Sequence, residues 1–89
     1  METVNLLVKG KVQGVFYRAS VRGKAEELGI NGWVKNTPDG HVQILASGEE
    51  EALKEFIRWC HTGPSRAVVK SVSVTPQESS DVHGFRIIK

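Results

Sequence analysis

Val4, Leu6 and Val8 alternate along Val4-Asn5-Leu6-Leu7-Val8, and a period of two predicts a strand with one buried face. The period then changes. Tyr17, Val21, Ala25 and Leu28 recur at helical spacing and predict a helix over about Arg18 to Leu28, with Gly29 placed for a left-handed C-terminal cap. Gly32 to Asn36 and His41 to Ala46 read as second and third strands flanking Thr37-Pro38-Asp39-Gly40. Pro38 fixes φ there and Gly40 can take a positive φ, which predicts a hairpin. Leu53, Phe56, Ile57 and Cys60 form a second helical stripe, ended by Gly63-Pro64. Ser47 and Glu50 have capping-box spacing at its start, and Glu49, Glu50 and Glu51 suit the positive end of a helix dipole. A fourth strand is expected from about Ala67 to Val74. Its apolar phase slips from Ala67 and Val69 to Val72 and Val74, which predicts a bulge near Lys70-Ser71. Thr75 to Val82 reads as a polar loop, and Gly84 to Ile88 as a short last strand with Phe85 and Ile87 inward.

The order is β-α-β-β-α-β with an added terminal strand. It predicts an α+β fold of the ferredoxin-like kind, an antiparallel sheet with two helices on one face. Eighty-nine residues suffice for one core, so residues 1–89 are expected to form a single domain. No internal repeat, linker or low-complexity segment interrupts them. Fold alone decides little about function, because this architecture hosts many activities. Composition narrows the classes. No apolar run approaches the roughly 20 residues that span a bilayer, and the N-terminus has neither a basic region nor an apolar segment. The single Cys60 excludes an internal disulfide framework and cysteine-based metal clusters, so the expected compartment is the cytoplasm. A net charge of +2 is too small to argue for nucleic acid.

Candidate chemistry concentrates in Gly10-Lys11-Val12-Gln13-Gly14-Val15-Phe16-Tyr17-Arg18. A strand empties into a loop with two glycines, and a helix begins beside an arginine. Backbone N–H groups, a helix N-terminus and a guanidinium fork together describe an anion site. Gly10 and Gly14 are expected to let the backbone approach the anion closely. The loop lacks the Gly-Lys-Ser/Thr ending of a nucleotide-binding phosphate loop, so neither Mg²⁺ nor ATP is implied. Each part also has a blander reading: a glycine turn that only turns, a solvated arginine, an asparagine that only starts a turn.

A second segment gives the first its context. Gly32-Trp33-Val34-Lys35-Asn36-Thr37-Pro38-Asp39-Gly40-His41-Val42, followed by Gly48, together with the glycine loop, resembles the paired motifs of the acylphosphatase family. The resemblance covers nearly the whole chain and implies the same ferredoxin-like fold. It implies an enzyme that hydrolyses the carboxyl–phosphate bond of a small-molecule acyl phosphate, without cofactor or metal. By that resemblance Arg18 binds the phosphoryl oxygens, and the backbone N–H groups of Val12, Gln13, Gly14, Val15, Phe16 and Tyr17 wrap the rest. Asn36 occupies the second catalytic position and orients the attacking water; Thr37 could add a hydroxyl contact. The leaving carboxylate, whose conjugate acid has a pKa of about 4, departs without a proton. Positioning and charge stabilisation therefore carry most of the rate, and the substrate's own phosphoryl oxygen takes the water's proton. Arg is preferred to Lys because its planar fork holds two oxygens at once. Such small enzymes are commonly monomers, and no nucleic-acid or membrane partner is expected. The C-terminus departs from members that end in Arg-Tyr, since this chain ends Phe85-Arg86-Ile87-Ile88-Lys89.

Two other readings stay open. RNA-binding domains of the same order stack bases on aromatic residues of the first and third strands, and here those strands carry none. A sensor would bind the anion without turnover. His41, His61 and His83 show no metal-ligand spacing and are expected at the surface. Cys60 is expected to be a small buried hydrophobe, Trp33 to lie near the sheet edge, and Trp59 to neighbour the core stripe.

Overall fold

The computed structural model describes residues 1–78 and 81–89. The elements are β1 (Glu2–Lys11), α1 (Tyr17–Leu28), β2 (Asn31–Asn36), β3 (Val42–Gly48), α2 (Glu50–Thr62), β4 (Val68–Gln77) and β5 (Phe85–Ile88). The strands form one sheet in the order β4-β1-β3-β2-β5. The first four pair antiparallel, as the alternation and the hairpin predict. The added β5 lies parallel to β2, from Gly32 opposite Phe85 to Lys35 opposite Ile88, which makes the sheet mixed. This is the ferredoxin-like α+β arrangement with one extra edge strand.

The core lies between the sheet and the two helices. Leu6 and Val8 of β1, Val34 of β2 and Ile44 of β3 meet Tyr17, Val21 and Ala25 of α1 and Leu53, Phe56 and Cys60 of α2. Both helical stripes therefore bury as the spacing predicts, and each fully buried large side chain contributes about 1.5–3 kcal/mol. Tyr17 also has a polar end to satisfy. Its hydroxyl donates to the Cys60 carbonyl at 2.8 Å, which pins the first residue of α1 to the last turn of α2. Trp59 stacks on the same ring at 6.1 Å. Gly63, at φ 65°, lies so close that a Cβ would come within 2.7 Å of the Tyr17 ring. The start of α1 is thus held by packing rather than by a cap.

The structure corrects two boundaries. Ser47 is not the cap of α2. It is paired within β3, and its buried hydroxyl accepts a hydrogen bond from Thr3 Oγ1 at 3.0 Å. The β1–β3 ladder continues to Glu2 opposite Gly48, so long-range pairing takes Ser47 before the helix can. Glu49 is the N-cap residue, with Glu50 and Glu51 in the first turn. In the same way β4 runs on through Pro76 to Gln77, where a loop is expected from Thr75; an edge strand tolerates the missing N–H of proline. The part of that expected loop at residues 79 and 80 lies outside the described residues. The predicted bulge is present: pairing passes from Lys9 opposite Ser71 to Gly10 opposite Val69, leaving Lys70 over. Val69 and Val72 pack on the core, whereas Val74, expected inward, is 42% exposed.

Candidate active site

Between β1 and α1 the chain turns through residues 12–16. Val12 and Val15 are buried and anchor this turn from beneath. Gly14 has φ 72°, a left-handed conformation that suits glycine. Phe16 follows at φ 63°, the one non-glycine residue with positive φ among those described, and the residue is 75% exposed. A bulky aromatic held there is strained by roughly 1–2 kcal/mol. Gly10 is needed for another reason than the one expected. At φ 135° it sits in β1, where a Cβ would fall 2.1 Å from the Val68 carbonyl, so it permits close approach of β4 rather than of an anion.

The N-terminus of α1 is bare. Phe16 makes no side-chain cap, and the first turn holds no acidic residue. The first intrahelical bond runs from the Ser20 N–H to the Phe16 carbonyl at 3.0 Å, so the N–H groups of Tyr17, Arg18 and Ala19 precede it. Those donors and the positive end of the dipole border a cleft of about 340 Å³. Val12, Gly14, Phe16, Tyr17, Arg18 and Asn36 line it, joined by Ala19, Ile87 and Lys89. Residues of the glycine loop and Asn36, 18 positions beyond Arg18 in the sequence, thus meet at one cleft.

Asn36 ends β2, on the sheet face that carries Val34 and the core. Its Oδ1 is buried and has no hydrogen-bond partner among the described residues. A buried acceptor left in this way costs about 1–3 kcal/mol, and such groups gather at working sites. Arg18 is half-buried and leans on β5, its Nη1 donating to the Ile88 carbonyl at 3.4 Å.

Gln13, Val15 and Thr37 are not among the residues that line the cleft. Val15 faces the core, and the side chains of Gln13 and Thr37 turn away from the cleft. The Thr37 hydroxyl donates to the Asp39 carboxylate and accepts the His41 N–H at 3.0 Å, so it is spent on the hairpin. That hydroxyl, with smaller help from His41, holds the Asp39 carboxyl below its ordinary range. Gln13 Nε2 donates to the carbonyls of Thr37 (2.9 Å) and His41 (2.8 Å). Tyr17 lines the cleft near its backbone, but its hydroxyl is buried and bound to Cys60, and burial pushes its pKa upward.

His61 and His83 are exposed as expected, while His41 is half-buried with Nδ1 3.2 Å from Asp39 Oδ2. Burial raises the Cys60 thiol to about 12, so it stays protonated and packs as a small hydrophobe. Among the described residues no group of three His, Cys, Asp or Glu side chains gathers. Sequence reasoning missed the Ile88 carbonyl and the lining by Ile87 and Lys89. The parallel pairing of β5 brings them in, and no local pattern announces it.

Known proteins resemble this chain in sequence and in fold. A model of the Acylphosphatase family matches residues 4–87. An acylphosphatase of Marinobacter nauticus is 61% identical over 69 residues, 78% of this chain and 75% of its own length. One from a Roseiflexus species is 40% identical over 89 residues, covering 99% and 96% of the two chains. The crystal structure of acylphosphatase from Bacillus subtilis superposes with a TM-score of 0.96 at 39% identity, covering 100% of both chains. The chain therefore belongs to the acylphosphatase family.

Proposed function

We propose that residues 1–89 act as one domain that hydrolyses the carboxyl–phosphate bond of small acyl phosphates to a carboxylate and inorganic phosphate. Arg18 and the amides at the start of α1 bind the phosphoryl oxygens. Asn36 Oδ1 accepts a proton-bearing O–H of the attacking water and aims its oxygen at phosphorus without removing the proton. The observation that carries this reading is the meeting of a bare helix N-terminus, Arg18 and an unpartnered buried Asn36 acceptor at one cleft. The proton passes to a phosphoryl oxygen and the carboxylate leaves as an anion, so no protein base is required. Metal is not part of the scheme, because the cleft offers amides, a guanidinium and an ammonium, which are ligands for anions. A monomer acting on small molecules in the cytoplasm fits a lone buried thiol and a charge of +2.

The test is turnover of a synthetic aryl acyl phosphate in EDTA, with inorganic phosphate as competitor. Turnover that phosphate inhibits competitively is expected. Asn36→Ala should lower kcat by about 10²-fold, the scale for one positioned polar group, with KM and phosphate inhibition little changed. Phosphate binding without turnover would make the protein a sensor and end the enzymatic reading.

A further inference from the structure

Gln13 belongs to the loop that resembles a phosphate cradle, yet its side chain is not in the cleft. Its amide nitrogen has two N–H donors, and both are used. One goes to the Thr37 carbonyl at 2.9 Å and the other to the His41 carbonyl at 2.8 Å. These acceptors are the two ends of the β2–β3 turn, 24 and 28 residues further along the chain. The turn does not need them to close. Thr37 N–H already donates to the His41 carbonyl (2.9 Å) and Gly40 N–H to the Thr37 carbonyl (3.2 Å). The His41 N–H is met by the Thr37 hydroxyl at 3.0 Å. What the Gln13 amide adds is a bridge between two separate elements, the loop before Arg18 and the hairpin that begins one residue after Asn36.

We propose that Gln13 is a positioning residue, which sets where Asn36 stands relative to the phosphate-binding loop. This rests on the reading that Asn36 orients the attacking water. Loop and hairpin are joined by a side chain whose two N–H donors are both used, so it has one favoured placement. In-line attack needs the water held to a fraction of an ångström, and about 1 Å of misplacement far from the chemistry can cost on the order of 10²-fold. The Gln13 side chain touches neither the phosphoryl group nor the water. Its effect passes through the backbone of residues 36–41.

The experiment is a cycle of Gln13→Met, Asn36→Ala and the double variant, read as kcat, KM and inhibition by inorganic phosphate. Methionine keeps the length of glutamine and removes both donors. Gln13→Met should lower kcat by about 10- to 100-fold, with phosphate inhibition unchanged because the loop amides and Arg18 stay in place. In the Asn36→Ala background the same change should cost less than about threefold, since a group that acts through Asn36 has nothing left to position. Gln13→Glu gives a second, folding-independent reading. Its carboxylate would face two carbonyl oxygens and repel them, whereas the protonated acid regains one donor. Its kcat should therefore rise toward the Gln13→Met value or above it as pH falls, an acid limb absent from the wild type. Additive losses in the cycle, or a Gln13→Met enzyme with wild-type kcat, would overturn the proposal. Wild-type kcat in Asn36→Ala would instead overturn the reading of Asn36 on which it rests.

Discussion

α2 starts from Glu49 in extended backbone, at φ −65° and ψ 149°, and places Glu50 and Glu51 in its first turn; α1 starts from Phe16 in left-handed backbone and places Arg18 there instead. The first arrangement is what a helix needs for its own stability, with carboxylates against the positive end of the dipole. Neither helix has a side-chain cap, but the second also breaks two local preferences: an aromatic stands in a strained conformation, and a cation stands where an anion is favoured. Packing makes it tenable. Tyr17 is buried beside Trp59 and hydrogen-bonded to the carbonyl of Cys60, so the first turn is clamped from below where it borders the cleft. α2 meets the positive end of its dipole with its own carboxylates. In α1 the local conflict falls at the cleft that Arg18 and Asn36 line.

The largest break in this comparison is at Arg18. Arg18→Lys keeps a positive charge at the helix start but replaces a two-oxygen fork by a point charge. Turnover of the aryl acyl phosphate should fall on the order of 10³-fold, the scale for a phosphoryl-clamping arginine, and phosphate inhibition should weaken with it. The fold should persist, because Arg18 lies outside the core and gives one long bond to the Ile88 carbonyl. Near-normal turnover in the folded variant would remove Arg18 from the site.

A smaller change makes α1 resemble α2. Ala19 lies in the first turn and lines the cleft. Ala19→Asp puts a carboxylate against the amides and beside Arg18, so the protein supplies its own anion. Phosphate affinity and kcat/KM should drop about tenfold, as expected when a competing charge interaction of 1–2 kcal/mol must be displaced. Melting temperature should hold or rise, since the helix gains the partner that α2 already has. Unchanged phosphate inhibition would show that the α1 amides do not face the anion.

The same contrast explains what could be read from the chain. The stripes of α1 and α2, the Gly29 cap and the turn at Thr37-Pro38-Asp39-Gly40 rest on local periodicity or on residues that fix φ, and each is present. Arg18 and Asn36 could be singled out because the two motifs that carry them are contiguous stretches. Ser47 misled because capping-box spacing is local while the β1–β3 ladder that claims it joins residues 44 apart. Gly10 misled for a related reason: its neighbour is the Val68 carbonyl, which no pattern around residue 10 encodes. The Gln13 bridge, the Ile88 carbonyl against Arg18 and the parallel placing of β5 are likewise long-range. The left-handed Phe16 ran against local preference outright, as strained positions beside a site do.

The smallest expected effect lies at the helix that obeys the rules. Glu50 and Glu51 are exposed and lie 4.0 and 3.6 Å from Lys54 Nζ, and exposed pairs of this kind contribute little. Their main contribution is to the dipole, about 0.3–1 kcal/mol each at low salt. A Glu50→Gln, Glu51→Gln variant should therefore lose about 1 kcal/mol in stability, which for a domain of this size lowers Tm by roughly 4–8 °C. The loss should shrink in high salt, because both charges are open to counter-ions. Turnover and phosphate inhibition should not change at a temperature where both proteins are folded, since among the described residues neither glutamate lines the cleft. That pairing of outcomes separates the two N-termini: in α2 an added or removed charge alters stability alone, whereas in α1 it alters binding. A double variant with intact stability and reduced turnover would place the α2 N-terminus in the chemistry, and the division of roles between the helices would fail.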